Sequence, residues 1–167
     1  FDHVRVSREA LVGEPGLGWA VLEPTLDRAR VALAAEMLGS ALEAFERTVA
    51  YLKEREQFGV KIGSFQALQH RAAHMQSRIE LCRSVVLQAL TAVDETPEQL
   101  PLLASLAKTQ LNALVKLVSN EAVQMHGGIG VTDELEIGFF LKRARATMQA
   151  FGDSGFHKDR YATLCGY

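Results

Sequence analysis

The sequence predicts an all-α protein: an antiparallel four-helix bundle with a short extended N-terminal segment before it and a short C-terminal tail after it. Three observations carry this. Apolar residues recur in steps of three and four along three long stretches and one shorter one, the period that lines one face of a helix. The connections between the stretches are tight, which places consecutive helices antiparallel and side by side. One stretch is apolar on more than one face, as a helix packed among several others must be. No repeat, linker or low-complexity segment interrupts the pattern.

The chain opens on FDHVRVSREALVG, where Phe1, Val4 and Val6 belong to an alternating pattern that reads as the last strand of a preceding β-unit. The first residue is not methionine, and the expectation is the C-terminal piece of a longer protein. Gly13-Glu14-Pro15-Gly16 forms a turn. Pro24 suits a first helical position, where no N–H is needed. A first helix is therefore expected from Pro24 to Glu56, with Leu26, Leu33, Met37, Leu42, Phe45, Val49 and Leu52 facing inward. Gly59 and Gly63 end it. The second helix carries the cleanest seam, through Phe65, Leu68, Ala72, Met75, Ile79, Cys82, Val86, Ala89 and Val93. Asp94 to Pro97 breaks it. The third, Glu98 to His126, has two seams, one through Leu103, Leu106 and Leu117 and one through Ala107, Leu111, Leu114, Val118 and Met125. Thr132-Asp133-Glu134 resembles the start of a fourth helix that reaches Phe151 and buries Ile137, Phe140, Leu141, Ala144 and Met148. A polar tail with a half-turn around His157 to Leu164 closes the chain.

A chain of 167 residues is long enough for one domain with its own core. The net charge of −2 gives no basic field for a phosphate backbone, so nucleic acid is not an expected partner. No uninterrupted apolar run is long enough to span a membrane. Two cysteines, Cys82 and Cys165, without metal-type spacing point to a reducing compartment, the cytoplasm or an organelle matrix.

Bundles hold di-metal sites through inward Glu-x-x-His pairs, and there are none here. His70 and His74 lie four apart, but no further ligand accompanies them, and no metal is expected. What remains is an arginine and a set of amides. In EAVQMHGGIG an apolar helix runs into Gly127, Gly128 and Gly130, where side chains vanish and backbone can approach a polar ligand; a glycine helix stop explains the same residues. Arg55, in EREQFG beside Gln57 and Phe58, offers a guanidinium fork suited to a pyrophosphate, or a cation favoured at a helix C-terminus. Gln66 is placed to hydrogen-bond a purine or ribose, or water. Asp27 and Arg30, in the first turn of helix one, form a charged cluster whose acid serves either the helix dipole or a ligand.

As a group these residues resemble one family, the acyl-CoA dehydrogenases, flavoproteins that introduce an α,β double bond into acyl-CoA thioesters. FDHVRVSREALVGEPGLGW looks like the end of that family's middle β-domain and the connection that follows it. TLDRARVALAAEMLG resembles the opening of its C-terminal helical domain, EREQFGVKIGSFQALQ the flavin arginine segment, and AVQMHGGIGVTDE the Gln-x-x-Gly-Gly loop. The resemblance implies residues 1–18 as the end of the β-domain and its connection, and 19–167 as the helical bundle domain. It implies that this bundle lies against the FAD of a neighbouring subunit in a homo- or hetero-oligomer, a dimer or tetramer. Arg55, Gln57, Phe58, Gln66, Gln124, Met125, His126, Gly127 and Gly128 would then serve FAD, and Asp27 and Arg30 would contact acyl-CoA. An electron-transfer flavoprotein or similar acceptor is the implied partner.

The reaction needs a carboxylate aimed at the substrate α-carbon. The family usually places a glutamate before a glycine after helix four, or on the first helix. Those positions here are Phe151, in Ala150-Phe151-Gly152-Asp153, and Ala29. Three explanations stay open: Asp153 acts as base from two residues further on, the chain is the non-catalytic partner in a heteromeric enzyme, or it binds without turnover. A helical oligomerisation module whose glycine loop is a simple turn is the reading from a different class.

Overall fold

The computed structural model describes residues 1–167. The class is all-α: five helices, α1 (Gly18–Glu54), α2 (Gln66–Asp94), α3 (Leu100–His126), α4 (Ile137–Gln149) and α5 (Ser154–Leu164), with one two-residue hairpin, β1 (Glu56–Gln57) and β2 (Val60–Lys61), between the first two helices. Contacts along the helices give their directions. Arg71 of α2 reaches Glu121 near the end of α3, and Arg78 reaches Gln110 further back, so these two are antiparallel. Tyr51 stacks on His126, placing the C-terminal ends of α1 and α3 together. Arg47 pairs with Glu136 and Glu36 with Arg143, so α4 runs back along α1. The central element is α3, packed against all the other helices, which is why it is apolar on more than one face.

The seam predicted for α2 is buried through Met75, Ile79, Cys82, Val86 and Ala89, and burial raises the Cys82 thiol above its usual range. In α1 the innermost residues include Ala34, Ala41, Ala44 and Thr48, whereas Leu42, Phe45 and Val49 are only half-buried. Small side chains at the contact let α1 and α3 approach closely, and the larger residues flank the contact. No helix is long and apolar enough to cross a membrane.

Four expectations need correction. The opening segment forms no strand, only a single 3-10 turn at Arg8–Ala10 with exposed apolar residues, because nothing in this chain offers it a ladder. Helix one begins at Gly18, and Pro24 lies inside it at the loss of one backbone bond. Helix four starts at Ile137, since Thr132 donates its hydroxyl to Ile129 O and closes a turn after the 3-10 segment Gly127–Val131. The tail is a helix, α5, capped by Asp153 accepting from the Phe156 N–H at 2.9 Å.

Candidate functional site

The residues expected to serve a ligand fall into two groups at opposite ends of α1, about 37 Å apart at 1.5 Å per residue between Arg30 and Arg55.

At the C-terminal end of α1, Arg55 leaves the helix in an extended conformation and the chain turns into the hairpin. A two-residue turn of this hand needs positive φ at both central positions. Gly59 adopts +78° freely, but Phe58 is forced to +55°, at a cost of about 1–2 kcal/mol. Its ring is 92% exposed and meets only the edge of Phe65. Nothing inside the chain accounts for a strained, exposed phenyl. The Arg55 guanidinium is exposed and joins none of the chain's ion pairs, among them Lys61 with Glu56 close by. Gln57 bonds only its neighbour's carbonyl, on Glu56. Gln66 begins α2 at an end that no side chain caps, so the positive pole of that helix is open.

The C-terminus of α3 comes to the same end. His126 donates Nδ1–H to Ala122 O at 2.7 Å, because a carbonyl can only accept, and its ring stacks on Tyr51 at 4.4 Å. The side chains of Met125 and His126 are buried, so contact with a ligand there falls to exposed Gln124 and to the backbone of Gly127 and Gly128. A Cβ added at either glycine would meet nothing within 4 Å. The Gly127 N–H is already taken by Gln124 O. Gly130 differs: its Cβ would lie 2.6 Å from Val123 O, so close packing inside the chain requires it.

At the other end Asp27 and Arg30 are buried and paired, Arg30 Nη1 to Asp27 Oδ1 at 2.7 Å. Arg160 of α5 donates to Asp27 Oδ2 at 2.9 Å, Glu23 Oε1 at 3.2 Å, and both Ser105 Oγ and Pro101 O at 2.9 Å. Glu23, Asp27, Pro101 and Arg160 border a groove of about 850 Å³ between α1, the start of α3 and α5, with Trp19 and Phe156 also among its walls, and Arg30 and Ser105 are buried behind it. Below it, the Phe151 carbonyl accepts from Arg30 Nε at 3.2 Å and His157 Nε2 at 3.1 Å. Phe151 itself is left-handed, at φ +58°. Burial first, then the Arg30 guanidinium, hold the His157 imidazole down to about 4, so it is neutral with its proton on Nε2. Lys108, fully buried on α3, donates to Thr147 O at 2.7 Å and Asn112 Oδ1 at 3.0 Å. Burial and then Arg30 lower it to about 8, with Asp153 pulling the other way. The exposed Asp153 spends one oxygen as the cap of α5.

Ser105, Lys108, His157 and Arg160 escaped the sequence reading. The signal for two of them was Asp153 as an N-cap: once α5 starts there, positions 157 and 160 fall on one face. His70 and His74 are exposed, and no third histidine, cysteine or carboxylate joins them.

Residues 16–163 match the family model for the acyl-CoA dehydrogenase C-terminal domain. The chain belongs to the acyl-CoA dehydrogenase family. It is 31% identical over 147 residues to the probable acyl-CoA dehydrogenase FadE25 of Mycobacterium tuberculosis, a match covering 88% of this chain and 38% of that protein. The structure of butyryl-CoA dehydrogenase from Megasphaera elsdenii superimposes with a TM-score of 0.92 at 30% identity, over 97% of this chain and 42% of that one. PigA with FAD and proline superimposes with a TM-score of 0.93 at 25% identity, over 99% and 43% respectively. The chain therefore spans about two fifths of the length of the acyl-CoA dehydrogenases it matches.

Proposed function

We propose that this domain is part of an FAD-dependent acyl-CoA dehydrogenase and supplies one wall of the FAD site of a neighbouring subunit. The observation that carries the proposal is the gathering, at one end of the molecule, of an unpaired guanidinium, a strained exposed phenyl, an uncapped helix N-terminus and two glycines over open space. An FAD pyrophosphate fits that donor set: Arg55 would grip it with parallel charge-assisted hydrogen bonds, and the open pole of α2 favours an anion. Phe58, Gln57 and Gln66 would meet the adenosine half, and Gln124 with Gly127 and Gly128 would close over the cofactor. Bound FAD supplies a hydride acceptor for the β-hydrogen of an acyl-CoA. The second cluster, about 37 Å away along α1, would be the acyl-CoA end of the domain, with Asp27 at the wall of the groove and Arg30 buried behind it, holding Asp27 in place. The FAD site would be completed by a neighbouring subunit, in a homo- or hetero-oligomer of the cytoplasm or an organelle matrix. Electrons would leave to an acceptor such as an electron-transfer flavoprotein.

The test is Arg55→Ala in the full-length protein. FAD affinity falls by about 1.5–3 kcal/mol, the worth of a hydrogen bond to a charged group, with helical content unchanged. Unaltered FAD binding would favour a helical oligomerisation module instead.

A second reading concerns catalysis, because neither Phe151 nor Ala29 can accept a proton and Asp153 is engaged as a cap. In it the chain is the non-catalytic partner of a heteromeric dehydrogenase whose other subunit carries the base. Single-turnover flavin bleaching by the purified protein, alone and with its genomic neighbour, separates the two.

A further inference from the structure

Phe151 O, Arg30, Asp27, Arg160, Ser105 and His157 make a closed ring of hydrogen bonds. Arg30 Nε and His157 Nε2 both donate to Phe151 O, at 3.2 and 3.1 Å. Behind Arg30 stands Asp27, which also accepts from Arg160, and Arg160 donates on to Ser105 Oγ at 2.9 Å. Ser105 Oγ closes the ring on His157 Nδ1 at 3.5 Å, the longest link. The members come from α1, α3, α5 and the connection between α4 and α5. Their arrangement forces the tautomer: with Nε2–H given to a carbonyl, a neutral imidazole can only accept at Nδ1. The ring surrounds a strained backbone, with Phe151 left-handed and Gly152 at φ +112°. A Cβ at Gly152 would lie 2.4 Å from the Phe156 ring and 2.9 Å from His157 Nε2. Strain of this sort persists only where the surroundings over-determine it.

We infer that His157 is a positioning residue: with Arg30 it clamps the Phe151 carbonyl inward, so that the side chain of residue 151 is presented outward in one fixed direction. This rests on the proposed acyl-CoA role of this end of the domain only for what the presented side chain meets; the clamp stands on the chain alone. The charged groups facing His157 are Arg30 from α1, Lys108 from α3 and Arg160 from its own helix, all cationic, with Asp27 compensating two of them. The Nε2–H that holds Phe151 O is present in the neutral imidazole, and a second proton, taken at Nδ1, would leave that donor in place.

The experiment is amide exchange in the full-length flavoprotein, comparing wild type with His157→Leu, which has no donor, and His157→Gln, which keeps one. In His157→Leu the hydrogen-bonded amides of this turn, Gly152 to Gln149 O and Phe156 to Asp153 Oδ1, exchange at least about tenfold faster, the equivalent of one lost buried contact of about 1.4 kcal/mol. His157→Gln restores the wild-type rate, and FAD affinity at the far end is unchanged in both. If His157→Leu does not fold, Ser105→Ala opens the ring at another link and should speed the same amides. Corrected for intrinsic pH effects, wild-type protection of the loop is flat from about pH 8 to about pH 5. Unchanged exchange in His157→Leu, or no rescue by His157→Gln, would overturn the clamp. Octanoyl-CoA serves as the probe of the wider reading: it should protect these amides in wild type and not in His157→Leu. Absence of protection in wild type removes the acyl-CoA role of the loop and leaves the clamp to be decided by the exchange of the apo protein.

Discussion

Lys108 provides a test of the polar interior that needs no ligand. Its ammonium is wholly buried, bonded to Thr147 O and Asn112 Oδ1, and no carboxylate makes an ion pair with it. Burial, reinforced by Arg30, brings it down from 10.5 to about 8 in the folded chain. In the unfolded chain it returns to its ordinary value. Between the two values the unfolded state binds the extra proton, so stability rises with pH. Below about pH 8 both states are charged and the full cost of burying the charge is felt. The difference of 2.5 units between 10.5 and about 8 corresponds to about 3 kcal/mol. Of this, about 2.5 kcal/mol should be regained between pH 7 and pH 10. The assay is urea unfolding of the full-length protein, wild type beside Lys108→Met, at both pH values. Lys108→Met removes the titration while keeping length and volume, so the stability difference between the two proteins should shift by about 2.5 kcal/mol in favour of wild type on going to pH 10. A constant difference, or an ε-carbon resonance of Lys108 that titrates near 10.5, would refute the assignment of a charge-desolvated lysine.

Asp153→Asn keeps a good cap for α5 whereas Asp153→Ala costs about 1 kcal/mol; flavin bleaching that survives Asp153→Asn in single turnover eliminates Asp153 as the base, and bleaching lost in both variants supports it. Phe58→Asn relieves the left-handed strain and should leave folding intact or up to about 1 kcal/mol better, while FAD titration shows weaker binding. Gly130→Ala drives a methyl into Val123 O and should destabilise by about 1–3 kcal/mol in chemical denaturation, whereas Gly128→Ala, over open space, should leave stability alone and reduce FAD affinity.

The helices with apolar seams were legible because burial of a stripe is a local, periodic property: Met75, Ile79, Cys82, Val86 and Ala89 can be read off as a face before any neighbour is known. The hairpin was not legible, since its turn is Phe-Gly where Asn-Gly or Asp-Gly is the usual signal. Nor was α5, whose only buried residue is His157 and which adds nothing to the apolar cluster. A helix docked through polar ties leaves no hydrophobic period in the sequence. Of the residues proposed to meet a ligand, Arg55, Gln66, Gln124, Gly127 and Gly128 were nameable from their motifs, and the structure shows that all five are exposed. Asp27 and Arg30 were readable as a pair but not as buried ones.

What the sequence alone determined here is the class, the seams and the motifs that carry the family, because each depends on residues within a few turns of one another. The tertiary structure decided which charges are tied and which are free. Arg55, at the end of one helix, and Arg160, within another, are the same side chain, yet one ends in solvent and the other bonds Asp27, Glu23, Ser105 and Pro101 from two other helices. Long-range partners set the desolvation and the fields, and no local pattern of residues encodes them.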